Sequence, residues 1–136
     1  MVESNNSRIV LLVEDSDDDA FFFERAFRSA GIPAELVRCA DGGEAVAYLE
    51  RACATIPHFS ARVVLFLDLK LPILTGFEVL RWIRSHQLEL HVIVLSGSEL
   101  QADIELARQL GARDYLVKPI SATDLKRHVS DEEMVS

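Results

Sequence analysis

The sequence predicts an α/β chain built on a doubly wound, five-stranded parallel sheet with five flanking helices. Three observations point there. Apolar, β-branched runs of strand length recur without polar alternation, as strands buried on both faces require. Stretches with helical spacing separate these runs. Several runs also end in a polar group, most visibly VVLFLDLKLP at 63–72, where Asp68 follows five apolar residues. An ionised carboxylate cannot remain inside such a sheet unpartnered, because its desolvation costs several kcal/mol. It belongs at the strand's end, and the carboxyl ends of strands are where open α/β sheets bind ligands.

Taken in order, residues 1–7 are polar and expected to be a flexible N-terminus. Residues 9–13 (IVLLV) form the first strand and end at Glu14 and Asp15. Ser16 or Asp17 can cap the next helix, whose acidic first turn suits the helix dipole. That helix runs to about residue 29 and stops at Gly31 and Pro33. Its buried stripe is Ala20, Phe23, Ala26, Phe27 and Ala30, which leaves Phe21 nearly opposite and Phe22 on a shoulder. Residues 35–39 are a second strand and 41–43 (DGG) a turn. Residues 44–54 are helical, with Ala45, Val46, Leu49 and Cys53 at helical spacing.

A loop containing Pro57 leads to the central strand. Pro72 and Gly76 bracket the loop after it, and 77–85 is a helix with Phe77, Leu80, Trp82 and Ile83 as its apolar surface. Residues 91–95 (HVIVL) are the fourth strand, ending at Ser96. Residues 99–110 are a helix closed by Gly111. Residues 114–117 (DYLV) are the fifth strand, ending at Lys118, and 121–129 a short, polar last helix. The expected organisation is one domain over 8–130 and an acidic tail at 131–136. Right-handed crossovers favour the flavodoxin-like strand order 2-1-3-4-5.

Composition narrows the function. With 49% hydrophobic and 26% charged residues, the 136-residue chain reads as globular. A net charge of −8 without a basic run repels a phosphate backbone, so nucleic acid is not an expected partner. The opening MVESNNSR lacks the features of a signal peptide, and no apolar run approaches the ~20 residues that span a bilayer. Cys39 and Cys53 stand outside any CxxC or metal-ligand spacing. A cytoplasmic protein with reduced thiols and no membrane contact is expected.

In the order 2-1-3-4-5, strands one, three, four and five are neighbours, and they end in Glu14-Asp15, Asp68, Ser96 and Lys118. Strand two contributes nothing comparable. Three crowded carboxylates raise at least one pKa or demand a cation. Hard oxygen ligands without His or Cys suit Mg²⁺. Lys118 offers a point charge to a phosphate and Ser96 a hydroxyl donor. Asp68, at the centre, is the candidate nucleophile for an aspartyl-phosphate.

These elements carry a family resemblance. The acidic pair in LLVEDS, LFLDLKLPILTGFEVL around Asp68, VLSGS around Ser96 and GARDYLVKPI around Lys118 resemble a response-regulator receiver domain of two-component signalling, from about residue 8 to 129. The resemblance implies roles. Asp68 would accept a phosphoryl group from a phosphohistidine. Asp15, Asp68 and the backbone carbonyl of Lys70 would hold Mg²⁺, with Glu14 helping through water. Lys118 would pair with the phosphoryl oxygens, its bond to Pro119 being cis. Ser96 would move to the phosphoryl group and Tyr115 turn inward with it. Phe22, seven residues beyond the metal-binding Asp15, would meet the histidine partner. Glu14 stands where Asp is commoner, and Lys70 lies beside the phosphoryl site.

The resemblance implies a stand-alone, chemotaxis-regulator-like switch rather than an enzyme in the usual sense. Its partners would be a histidine kinase or phosphotransfer protein and a downstream protein target, with a second copy of the chain as a further candidate. VEDSDDDAFFFERAF and CADGGEAVAYL most resemble the small regulators that accompany bacterial phytochrome kinases. The alternative is an Mg²⁺-dependent phosphohydrolase with an aspartyl nucleophile. Such enzymes place a second Asp two residues later, where this chain has Lys70, and carry a cap domain that this chain lacks.

Overall fold

A computed structural model describes residues 8–97 and 99–129. Five parallel strands form one sheet in the order β2-β1-β3-β4-β5: β1 Arg8–Val13, β2 Ala34–Cys39, β3 Val63–Asp68, β4 His91–Ser96 and β5 Asp114–Val117. β1 and β3, in the middle, are buried at every position. Around the sheet lie α1 Asp17–Ala30, α2 Gly42–Thr55, α3 Phe59–Arg62, α4 Gly76–Ser85, α5 Gln101–Gln109 and α6 Ala122–Val129. The flexible N-terminus and acidic tail expected at 1–7 and 131–136 lie outside the described residues.

Alternation along the strands splits the core into two layers. Val10, Leu12, Val64, Phe66, Ile93 and Leu95 meet α1 and α6 through Ala20, Phe23, Leu125 and Val129. Their neighbours in sequence, among them Leu11, Leu65, Leu67 and Val94, meet the helices of the other face through Ala45, Leu49, Val79, Leu80 and Ala107. Full burial of each such aliphatic or aromatic side chain contributes ~1.5–3 kcal/mol. Phe23 packs edge-on to Phe66 at 5.1 Å.

Several boundaries depart from expectation for local reasons. Among the described residues six helices surround the sheet rather than five, because the loop after Pro57 contains α3. Four residues are too short to show a helical period, yet α3 buries Phe59 edge-on to Tyr48 at 5.9 Å. Gly42 and Gly43 form the first turn of α2, because Asp41 caps it by accepting from Glu44 N at 2.7 Å. Cys53 faces solvent, and Ala52 takes its place on the buried stripe. α5 begins at Gln101, two residues later than expected, with Leu100 at its N-cap and no capping side chain. α6 is short but amphipathic, burying Leu125, His128 and Val129.

Candidate functional site

The same period of two builds the site. On the face turned to α1 and α6, Leu12, Phe66 and Leu116 are each followed two residues later by Glu14, Asp68 and Lys118. Lys118 Nζ then lies 2.7 Å from Glu14 Oε1 and 3.2 Å from Asp68 Oδ2. Its third partner is Asp19 Oδ2 at 2.9 Å. Asp19 escapes the sequence reading because it is one of three consecutive Asp residues in an acidic first turn. Its signal is its place four residues after Asp15, on the helical side facing the pocket.

Glu14 and Asp68 are 2% and 5% exposed, whereas Asp15 is open to solvent. Oxygens from Glu14, Asp15 and Asp68 all lie within 4.8 Å of one another. Burial pushes the Glu14 carboxyl up to about 7; its hydrogen bond to Lys118 opposes the rise, and Asp68 adds to it. Burial alone would lower the Lys118 ammonium. Hydrogen bonds to Glu14 and Asp19, with the charge of Asp68, outweigh it and raise Lys118 above its ordinary value. One side of Asp68 is held by Lys70 N, which donates to Oδ1 at 3.2 Å.

Lys70 itself is exposed and borders the same cavity. The cavity, about 700 Å³, runs from Glu14, Asp15 and Asp68 past Ser96 and Lys118 to an apolar wall of Phe22, Phe23, Pro119 and Ile120. Ser96 is buried at 3% exposure, and its carbonyl accepts from Lys118 N at 2.8 Å. Tyr115, half-buried beside Val94 on the other face of the sheet, is not among the cavity's lining residues. The Lys118–Pro119 peptide is cis. Phe21 and Phe22 are 52% and 53% exposed, their rings in edge contact at 5.8 Å.

The loop after Asp68 is held tightly. A Cβ at Gly76 would run into the Asp68 carbonyl oxygen, and one at Gly42 into that of Leu74. β2, which the sequence leaves without a role, also reaches the site: Arg38 donates to the Glu14 carbonyl. A half-buried Arg on an edge strand carries no sequence signal of that contact.

The family model for the response regulator receiver domain matches residues 10–130. The chain belongs to that family. Membership brings with it phosphorylation on an aspartate and a part in two-component signalling. The receiver is 38% identical to the probable methanogenesis regulatory protein FilR2 of Methanothrix harundinacea over 136 residues, covering 96% of this chain and 84% of the relative. It is 31% identical to the response regulator Rcp1 of Synechocystis, covering 96% and 90%. Among solved structures it resembles the phosphorylated cyanobacterial phytochrome response regulator RcpA, with a TM-score of 0.73, 32% identity and coverage of 93% and 91%. It also resembles the Mn²⁺-bound form of Rcp1, with a TM-score of 0.71, 31% identity and coverage of 93% and 91%. No described helix of the receiver is long and apolar enough to cross a membrane.

Proposed function

We propose that this receiver is a phosphorylation switch in which Asp68 is the phosphoacceptor. One observation carries the reading: Asp68 ends the central strand with its carboxylate beside both the Glu14-Asp15 pair and the Lys118 ammonium. An Asp68 oxygen attacks the phosphorus of a phosphohistidine and forms an O–P bond. The N–P bond breaks, and the imidazole nitrogen keeps the electron pair and takes a proton.

The donor set fits a hard divalent cation, since it offers carboxylate oxygens and no soft ligand. Asp15, Asp68 and the Lys70 carbonyl would hold Mg²⁺, with Glu14 acting through water. Bound there, the ion would supply positive charge opposite the phosphoryl oxygens. Lys118 pairs with those oxygens, Ser96 donates its hydroxyl to one of them, and Tyr115 follows Ser96. Phe22, on the apolar wall of the cavity, is the docking contact for a cytoplasmic histidine kinase or phosphotransfer protein. Likeness to the phytochrome response regulator RcpA favours a phytochrome-associated system, with output through a protein contact. The organisation supporting this switch is one receiver domain over 8–130, with 1–7 and 131–136 as flanking segments. A phosphohydrolase is disfavoured by Lys70, which stands where a general acid would be needed.

The test is Asp68→Asn. With Mg²⁺ and a small phosphodonor, wild type gains an acid-labile phosphoryl group and the variant gains none. Uptake by the variant at the native rate would overturn the assignment.

A further inference from the structure

We propose that Arg38 is a positioning residue for the cation site, holding the acidic loop from the outermost strand; the inference rests on the metal-binding reading of Glu14 and Asp15. Arg38 projects from β2 over the turn between β1 and α1. Its Nε and Nη2 both donate to the Glu14 carbonyl, at 3.0 and 2.8 Å, while Nη1 donates to Asp17 Oδ1 at 3.0 Å. On the other side of the same residue, Glu14 N donates to the Cys39 carbonyl at 3.0 Å. Both backbone groups of Glu14 are thus tied to consecutive residues of β2. Its carboxylate is tied separately, to Ser16 N at 3.2 Å and to Lys118.

This arrangement fixes the peptide that joins the two acidic residues. Turning the Glu14–Asp15 peptide would break both bonds from the Arg38 fork, and with that peptide fixed Asp15 leaves the chain in one direction only. The loop needs such a restraint. Glu14, Asp15, Asp17, Asp18 and Asp19 crowd five acidic side chains into six residues, and repulsion among their charged forms favours splaying the loop apart. Arg38 opposes this from behind. It lies outside the cavity's lining and donates to a carbonyl, so it competes for none of the oxygens that face the cation. The planar fork makes the clamp specific: a Lys ammonium can reach the carbonyl as a point charge but cannot bridge to Asp17 in the same geometry. The bland account is a surface ion pair with Asp17, whose side chain is 93% exposed and therefore worth little.

The two accounts separate on Mg²⁺ affinity measured with MgCl₂ alone, as the concentration that gives half the maximal rise in thermal midpoint at constant ionic strength. Arg38→Ala should raise that concentration about tenfold, the usual scale for losing an outer support of a metal ligand. Asp17→Asn, which removes the ion pair and leaves the carbonyl clamp, should leave it unchanged. Arg38→Lys should fall between and keeps the question open to test if the Ala variant does not fold. In both Arg38 variants the Mg²⁺ concentration for half-maximal phosphorylation should rise in parallel. A native Mg²⁺ midpoint in Arg38→Lys and in any folded Arg38→Ala, or an Asp17→Asn as impaired as the Arg38 variants, overturns the inference while the cation site stands. A wild-type protein with no Mg²⁺ response would remove the cation site and the inference together.

Discussion

The two ends of the sheet bury ionisable groups in opposite ways. At the carboxyl end, Glu14 and Asp68 are buried beside one Lys118, and the cavity above them opens to solvent. At the amino end, Arg8 begins β1, His91 begins β4, and Arg113 precedes β5 around a cavity of about 270 Å³. His128 of α6 is buried nearby, its Nε2 3.2 Å from Asp114 Oδ2 but not aligned for a hydrogen bond. The first end keeps Lys118 charged by pairing it with Glu14, Asp19 and Asp68, while burial pushes the Glu14 carboxyl up to about 7. The second relieves its burden by giving one up: burial, with Arg113, His128 and Arg8, lowers His91 to about 4 and leaves it neutral. Burial alone therefore does not mark a reactive site. A buried ammonium shared by several carboxylates, beside a cavity that an added charge can reach from solvent, marks it better.

The largest test of this contrast removes the ammonium that holds the carboxyl end together. Lys118→Met leaves Glu14, Asp19 and Asp68 facing one another, and without divalent cations the fold should lose ~2 kcal/mol, between the values for exposed and fully buried pairs. Mg²⁺ should restore most of it. Urea denaturation with and without Mg²⁺ reads both effects, and a loss that ignores the metal would show that Lys118 serves packing alone.

A second test concerns the aromatic rim, which the amino end lacks. Phe22→Ala should slow phosphotransfer from a cognate kinase by ~1–2 kcal/mol of activation free energy, because exposed aromatics dominate contact surfaces. It should leave uptake from a small phosphodonor unaltered. Equal slowing with both donors would assign Phe22 to the fold.

Much of this is legible in the sequence, and the reasons are local. The ends of β1, β3, β4 and β5 can be read because buried parallel strands are continuous apolar runs that stop abruptly at polar groups. Phe22 can be placed because Ala20 and Phe23 fix the phase of α1. What escapes has no period or lies across the fold. α3 is a single turn, Cys53 differs from Ala52 by one helical step, and the contact of Asp19 with Lys118 spans 99 residues. Arg38 is invisible for a related reason: its partner is a backbone carbonyl, which every residue carries.

The smallest effect expected belongs to the amino end and depends on pH. His91 has a folded value near 4 against an ordinary 6.5, so between these the unfolded chain holds a proton that the folded chain refuses. The stability it contributes is complete above about pH 6.5 and lost as pH falls through 4, amounting to ~1 kcal/mol once partial solvent screening is allowed for. His91→Gln should lose less stability than wild type between pH 7 and pH 5 in urea titrations. Parallel losses would mean that His91 is not what resists acid there.

Lys118 also dates the site in the life of the chain. It reaches back 50 residues to Asp68 and 99 to Asp19, from a position past the last strand to be synthesised. A nascent chain that has released only β1 to β4 holds the carboxylates but not the ammonium that reconciles them. Its future pocket is then a knot of like charges with nothing to answer to. The paired carboxyl end is therefore completed only once Lys118, just past an edge strand of four residues, has emerged.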